Sequence, residues 1–500
     1  MPAIELPFRS PIDQAFIWRS RDFLQKSGRL GLILDAKNFF SQEGQSLASK
    51  RWLFSNLRAR VMLNLSVLHD KKLFPSAKQP AMVFVAENCK PKKGDTVVYA
   101  SAERSETFRK HGIVELFLER LNFLPIARIP DEPHLFRIAS YGTARDRAII
   151  KDLFSCGQSL ERVLSDWGTG LHQGFIRGTR LKKIPDGLPA KMLEAHTLSR
   201  FHQPLQGLPR FHYAKLEHAR EPSIYKGPLC IVQQSFQNDR FASAICDRSV
   251  VYSLTYFGIN FASKYRPQYE ALCVFLNSSV AAYTFLMTAT RFGIDKQIAM
   301  PNDVLRFPFR SNAANKEYAA LAALCNAAST FTDIDDAVFD FFRLQTWQRE
   351  YITDTIRHDL DFVRHGSKGS NVQAANDDDL RLYAETMVKF IRSNLSREEL
   401  TVNADVVTGL SDLQCVVIRF DEDRNREVRF TSKPEDSFSS RLAELLHAPL
   451  ASGIQLRRSL IHFDEDRCLI AKLAQKRFWS RARAYDDADS IFDEFCRGGE

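Results

Sequence analysis

At 500 residues and 44% hydrophobic content, the chain is too long for one ordinary domain and apolar enough for two to four with real cores. A formal charge of +9 permits a polyanionic partner without demanding one, and no apolar run approaches the roughly 18 residues that span a bilayer. Nine scattered cysteines with no Cys-x-x-Cys pair argue against a zinc site and against a secreted disulfide framework, leaving free thiols in a reducing cytoplasm as the expectation.

The opening MPAIELPFRSPIDQ has no basic stretch followed by an apolar one, so no secretory signal is expected. Residues 12–27 place Ile12, Phe16, Ile17, Phe23 and Leu24 at helical spacing, with Gly28 as the stop. RLGLILD (29–35) reads as a short buried strand, and 50–60 as a helix. VMLNLSVL (61–68) and PAMVFVAE (80–87) read as two strands joined through a turn at Pro75. This order predicts the last part of an α/β sheet closed by an antiparallel hairpin, with one edge open.

Residues 96–165 mix short elements as a connecting α/β segment. From 166 to 230 the texture turns rich in Gly, Pro, His and basic residues, and KGPLCIVQQSF (226–236) reads as a buried strand. A long apolar helix over 266–290 is expected to break near Asn277-Ser278, and 312–364 is helical. GSKGSNVQAANDDD (366–379) is small and polar and reads as a linker. Beyond it a separate α+β unit is expected, with helix 380–395, strands near 413–420 and 426–431, helix 438–447, and strands near 456–463 and 467–473.

Asp13 through Phe16, and then Gly28 through Leu34, resemble the segment that follows the catalytic motif in adenine-N6 DNA methyltransferases of the type IIG and type I-like restriction–modification group. Leu57-Arg58, Leu73-Phe74 and Pro80 through Val85 are similar to the approaches to, and strands of, the end of that sheet. Gly168-Thr169-Gly170, Gly174 through Gly178, Ile224 through Ile231, Leu272 through Ser278, Phe292-Gly293 and Leu305 through Phe309 resemble the target-recognition region of the same enzymes. The resemblance covers roughly 10–90 and 165–310. Trp479-Ser480-Arg481 and Lys472 resemble tails of some such proteins much less specifically.

The resemblance implies a methyl donor, S-adenosylmethionine, held at a glycine-rich turn after the first strand. It also implies an Asn/Asp-Pro-Pro-Tyr/Phe site that stacks an extruded adenine and accepts its amine hydrogens. Neither motif occurs in these 500 residues, and Gln79-Pro80 and Pro301-Asn302 are not substitutes. No catalytic and no cofactor-binding residue is therefore assigned. The donor is expected only if a partner polypeptide carries the N-terminal methyltransferase half.

Residues 171–230 hold ten Lys/Arg against four Asp/Glu. Arg177, Arg180, Lys182 and Lys183 share one Gly/Pro loop and are candidates for phosphate contacts on duplex DNA. Gln233 or Gln234 can read adenine edges, as Arg can read guanine. Arg291 and Lys296, flanking Gly293, either contact DNA or end the preceding helix with favourable charge. For each the competing reading is a solvated charged surface.

Histidines 172, 196, 202, 212 and 218 match no standard ligand spacing, and no metal is expected. Around Trp479, the group Lys472, Lys476, Arg477, Arg481 and Arg483 with Asp486, Asp487 and Asp489 reads chiefly as a charged helix face. Nucleic-acid and Mg²⁺ roles are the minority readings.

The expected organisation is 1–95, half of a Rossmann-like methyltransferase domain; 96–165, a connector; 166–310, a target-recognition domain; 311–365, a helical segment; 366–379, a linker; and 380–500, a small α+β domain. The leading functional expectation is a component of an adenine-specific methyltransferase acting on double-stranded DNA, in the cytoplasm and without a membrane partner. The alternative is a non-catalytic DNA-specificity subunit of a defence complex.

Overall fold

In a computed structural model, the residues described are 12–71, 73–74, 78–326, 329–395, 401–408, 413–421, 428–432, 459–464 and 467–497. They form a mixed α/β structure with several sheets and many helices. The chain divides into two compact units. One is made from the described residues of Met1–Ala36, Gly44–Glu132 and Arg357–Glu500, the other from Lys37–Glu43 and Pro133–Ile356.

The first unit opens on a five-stranded sheet of β1 (Arg29–Asp35), β2 (Arg58–Asn64), β3 (Ala81–Glu87), β4 (Thr96–Ser101) and β5 (Asn122–Pro125), in the order β1-β3-β2-β4-β5. β3 runs antiparallel to both β1 and β2, and β2 runs parallel to β4. Alternation along the strands sends Leu34, Met62, Phe84 and Tyr99 to a buried face. Phe54, from the helix Gly44–Asn56, meets Phe84 there edge to face at 6.3 Å. The other face carries Ile33, Val83, Val85, Val61 and Phe123 in register across the sheet. Of these Ile33 is 60%, Val61 39% and Phe123 67% exposed.

The sheet thus extends past residue 95 to Pro125, because β4 and β5 of the expected connector pair into it. The helix expected over 50–60 ends instead at Asn56, and the strand begins at Arg58 and stops at Asn64. Pro75 lies outside the described residues.

The second unit is centred on Leu229–Gln233, which is buried throughout and runs antiparallel to Ser243–Cys246 on one side and Tyr256–Asn260 on the other. The predicted apolar helix is two, Arg266–Leu276 and Ser279–Thr288, bent by 66° at Asn277-Ser278. Asn277 is fully buried, and its side chain makes the break specific. Its Oδ1 accepts from the Ser243 amide at 3.3 Å and from Arg200 Nη1 at 2.7 Å, while Nδ2 donates to the Ser243 carbonyl at 2.9 Å. Ser278 caps the second helix through the Ala281 amide, and Asp335 Oδ1 accepts from the Ser279 amide at 2.8 Å. Asp335 also takes a bidentate pair of 2.6 Å bonds from Arg240. Among the described residues, no single helix is long and apolar enough to cross a membrane.

Residues 366–379 are not a linker. The Asp361 carboxylate accepts from Ser370 Oγ and the Asn371 amide, both at 3.2 Å. Next, 373–375 stitch to 474–476: Ala375 N–H donates to the Ala474 carbonyl at 2.7 Å, and Lys476 N–H to that of Gln373 at 3.0 Å. Small polar residues here satisfy buried partners instead of water, so low hydrophobicity misleads. Asn376 then caps the helix Asp377–Asn394, whose three leading aspartates suit its N-terminal dipole.

The C-terminal sheet runs Val428–Thr431, Thr401–Val407, Leu413–Asp421, Arg467–Leu473, Ser459–Asp464. Its first inner strand and the helix Arg481–Arg497 are additions to the expected elements; the helix expected at 438–447 lies outside the described residues. Lys472 is buried rather than on a charged face. Its ammonium pairs with Asp487, which also accepts from the Tyr383 hydroxyl at 2.6 Å. Burial holds that ammonium below the usual lysine range despite the carboxylate. Arg477 is likewise buried, stacked on Phe362 at 3.9 Å and paired with Glu103 at 3.3 Å. Neither side chain is open to nucleic acid.

Replacing Asn277 with Ala leaves the Ser243 backbone groups and one guanidinium nitrogen short of a partner. The expected loss of stability, read by denaturant titration, is about 3 kcal/mol, whereas Lys296→Ala at an exposed position stays within about 0.5 kcal/mol.

Candidate nucleic-acid interface

Within the second unit, the loop from Gly174 to Lys183 leaves the central sheet and returns as a short ribbon. Ile176 bridges His218 in antiparallel fashion, and Lys182–Lys183 pair antiparallel with Lys215–Leu216. Between these two anchor points Glu217 fixes the backbone. Its amide donates to the carbonyls of Ile176 and Arg177, and its Oε2 accepts from the Thr179 amide at 2.9 Å. Gly178 sits at φ +49°, and a Cβ there would collide with the Glu217 carboxylate, so only glycine suits the position. The loop is therefore built, although its sequence reads as irregular.

This frame presents Arg177, Arg180, Lys182, Lys183 and Lys215, all exposed. Among the described residues none of the five has a carboxylate partner within ion-pair distance, in contrast to Arg240, Arg266, Arg310 and Arg349 of the same unit. In the ribbon register Lys183 lies directly opposite Lys215. Like charges facing each other across a strand pair destabilise it, so the arrangement costs the free protein stability that a bound anion would recover.

Beside the ribbon, the Arg177 guanidinium lies over the Tyr213 ring at 4.6 Å. Tyr213 is itself packed against Phe211 and the buried Phe175, each at a centroid distance of 5.8 Å, and the His212 ring lies tilted beside it at 4.3 Å. The stretch 209–213 is held by the Phe211 amide on the Ala190 carbonyl at 2.9 Å and by the Met192 amide on that of Pro209 at 3.0 Å.

The structure brings together the four cations of the 177–183 loop and does not bring the other candidates to them. Gln233 and Gln234 are each only 4% exposed. Gln233 Nε2 donates to Ser235 Oγ at 2.9 Å, so this amide is spent inside the protein. Gln233 ends the central strand and Gln234 follows it, and both side chains are buried in this geometry. Arg291 is taken up by Asp295 four residues on, so it belongs to the turn after the helix, while Lys296 is exposed.

Lys215 and Tyr213 escaped the sequence reading. The alternation of aromatic and polar residues in Phe211-His212-Tyr213-Ala214-Lys215 was the available signal, but the pairing with 182–183 is a tertiary event. Among the described residues no group of three or more His, Cys, Asp or Glu is arranged to hold a metal, and eight cysteines are free thiols. No strand of the first sheet runs into a glycine-rich turn: β1 is followed by Ala36-Lys37-Asn38, β2 by Leu65-Ser66-Val67 and β4 by Ala102-Glu103-Arg104. The residues that follow these three strands do not form the glycine-rich turn that the resemblance implies for a methyl donor.

No family model matches the chain, and no curated protein does. Among solved structures, the type IIG restriction endonuclease BpuSI is similar over 72% of this chain and 50% of that one, at 11% identity and a TM-score of 0.34. The chain thus spans about half of that protein's length.

Lys215→Glu converts the repulsive cross-strand pair into an attractive one. A rise in melting temperature on the order of 1 °C, measured by calorimetry, is the expected outcome; an unchanged or lower value would show that the lysines do not oppose each other in solution.

Proposed function

We propose that this chain supplies DNA recognition to an adenine-N6 DNA methyltransferase of a restriction–modification or phage-defence system. The half that binds the donor and holds the Asn-Pro-Pro-Tyr site comes from outside these 500 residues. The observation that carries the DNA part is the anchored loop-and-ribbon with five exposed cations that lack carboxylate partners among the described residues, two of them at facing register positions. A polyanion with regularly spaced charges neutralises such a surface, and counterion release from it drives binding.

The methyltransferase part rests on the resemblance of 10–90 to the end of that family's sheet and on two features that agree with it. β3 inserted against β1 and β2 is the antiparallel closure the resemblance implies. β1 is an edge whose outer backbone groups have no strand partner among the described residues, and it adjoins the exposed apolar face of Ile33, Val61 and Phe123. A completing half would add a strand at that edge, gaining on the order of 25 cal/mol per Å² of apolar surface it covers. S-adenosylmethionine would then be held by the completing half. No step of methyl transfer is assigned to residues of this chain.

Replacing Arg177, Arg180, Lys182 and Lys183 together by Ala is expected to weaken duplex binding and lower the slope of log affinity against log salt by up to about four phosphate contacts. Unchanged affinity and slope would remove the loop from the interface.

In the second test, co-expression with a neighbouring methyltransferase half should raise soluble yield and melting temperature and yield N6-methyladenine in plasmid DNA. The isolated chain should bind no S-adenosylmethionine by calorimetric titration. A monodisperse chain that gains nothing from any neighbouring gene product would favour the stand-alone specificity subunit.

A further inference from the structure

The five cations are not equivalent, and the difference assigns them different work. Lys182, Lys183 and Lys215 project from a two-stranded ribbon with no ring or carboxylate to hold their side chains among the described residues. They are flexible point charges. Arg177 is held at both ends. Its backbone is fixed by the Glu217 amide on its carbonyl at 2.9 Å, next to a position that tolerates only Gly178. Its guanidinium rests on Tyr213, whose ring is anchored on Phe175 and Phe211. A planar fork held by stacking has already lost much of its rotamer freedom, so it gives up less on binding and points one way. That is what a bidentate contact to one base edge demands, and a phosphate contact does not.

We propose that Arg177 is a specificity-determining residue that reads a guanine edge in the major groove, with Tyr213 as its positioning residue, while the ribbon lysines and Arg180 hold phosphates. This rests on the DNA-recognition reading above and goes beyond it by separating base readout from backbone attraction.

The test uses the full 500-residue chain and a pool of DNA duplexes randomised over about one helical turn. Rounds of binding and sequencing compare the wild type with Arg177→Ala, Arg177→Lys, Tyr213→Leu and Tyr213→Phe, each checked for an unchanged melting curve. The wild type should enrich a motif containing a guanine. Arg177→Ala should lose the preference at that one position by about tenfold or more, with the rest of the motif retained. Arg177→Lys should keep the salt slope and still lose the preference, because an ammonium cannot form the fork. Tyr213→Leu should weaken the same position, and Tyr213→Phe should not.

The proposal fails if the Arg177→Ala motif equals that of the wild type, if Arg177→Lys retains the guanine, or if the wild type enriches no motif. It also fails if Tyr213→Leu lowers the melting temperature and Tyr213→Phe then loses the guanine as well. A chain that binds no duplex overturns this proposal and the DNA reading together. Binding that depends on the lysines but not on Arg177 for sequence overturns only this one.

Discussion

The buried amide of Asn277 organises the second unit. A strand and two helices meet at one point, and at that point the backbone has polar groups that the apolar surroundings cannot satisfy. Asn277 answers both the donor and the acceptor of Ser243 and takes one nitrogen of Arg200, which also donates to the carbonyls of Phe241 and Gln237. Burial pushes the Arg200 guanidinium down to about 10, and Arg240 beside it acts in the same direction, so the amide's oxygen is a needed partner. The break between the two apolar helices is therefore a specified corner. It sets where Ser243–Cys246 lies, and through that strand the sheet from which the basic loop departs.

The corner was legible because Asn-Ser is conspicuous in an otherwise apolar run of helical composition. The loop of 177–183 was legible as a cluster, four cations around Gly178 with Gly174 before and Pro185 after. What escaped depends on partners distant in sequence. Lys215 joins the candidate interface only through its register with Lys183, and Tyr213 only because Phe175 and Phe211 hold its ring. Gln233 and Gln234 lie in and just after a strand that is buried throughout, and residue type alone does not reveal that their amides are enclosed. The stretch 366–379 was misread as a linker because its composition cannot reveal a carboxylate such as Asp361 waiting to receive its amides. Lys472 is the same error in reverse, a cation whose partner, Asp487, waits inside the fold.

The basic ribbon and the edge of the first sheet differ in what they cost the free protein. The opposed lysines of the ribbon set like charges at facing register positions, which costs the free ribbon some stability. At β1, no described strand pairs with the outer edge, and Ile33, Val61 and Phe123 of the same sheet leave hydrocarbon exposed. Sequences that retain local conflicts of this kind usually do so where something binds.

The chain crosses between its two units four times, at residues 36–37, 43–44, 132–133 and 356–357. Neither unit is a continuous stretch, so no single cut frees the loop-bearing unit from the sheet-bearing one. Grafting this recognition unit onto another scaffold would require moving Pro133–Ile356 as an insertion and supplying Lys37–Glu43 at a second site. New binding preferences are easier to obtain by changing side chains on the existing frame than by shuffling segments.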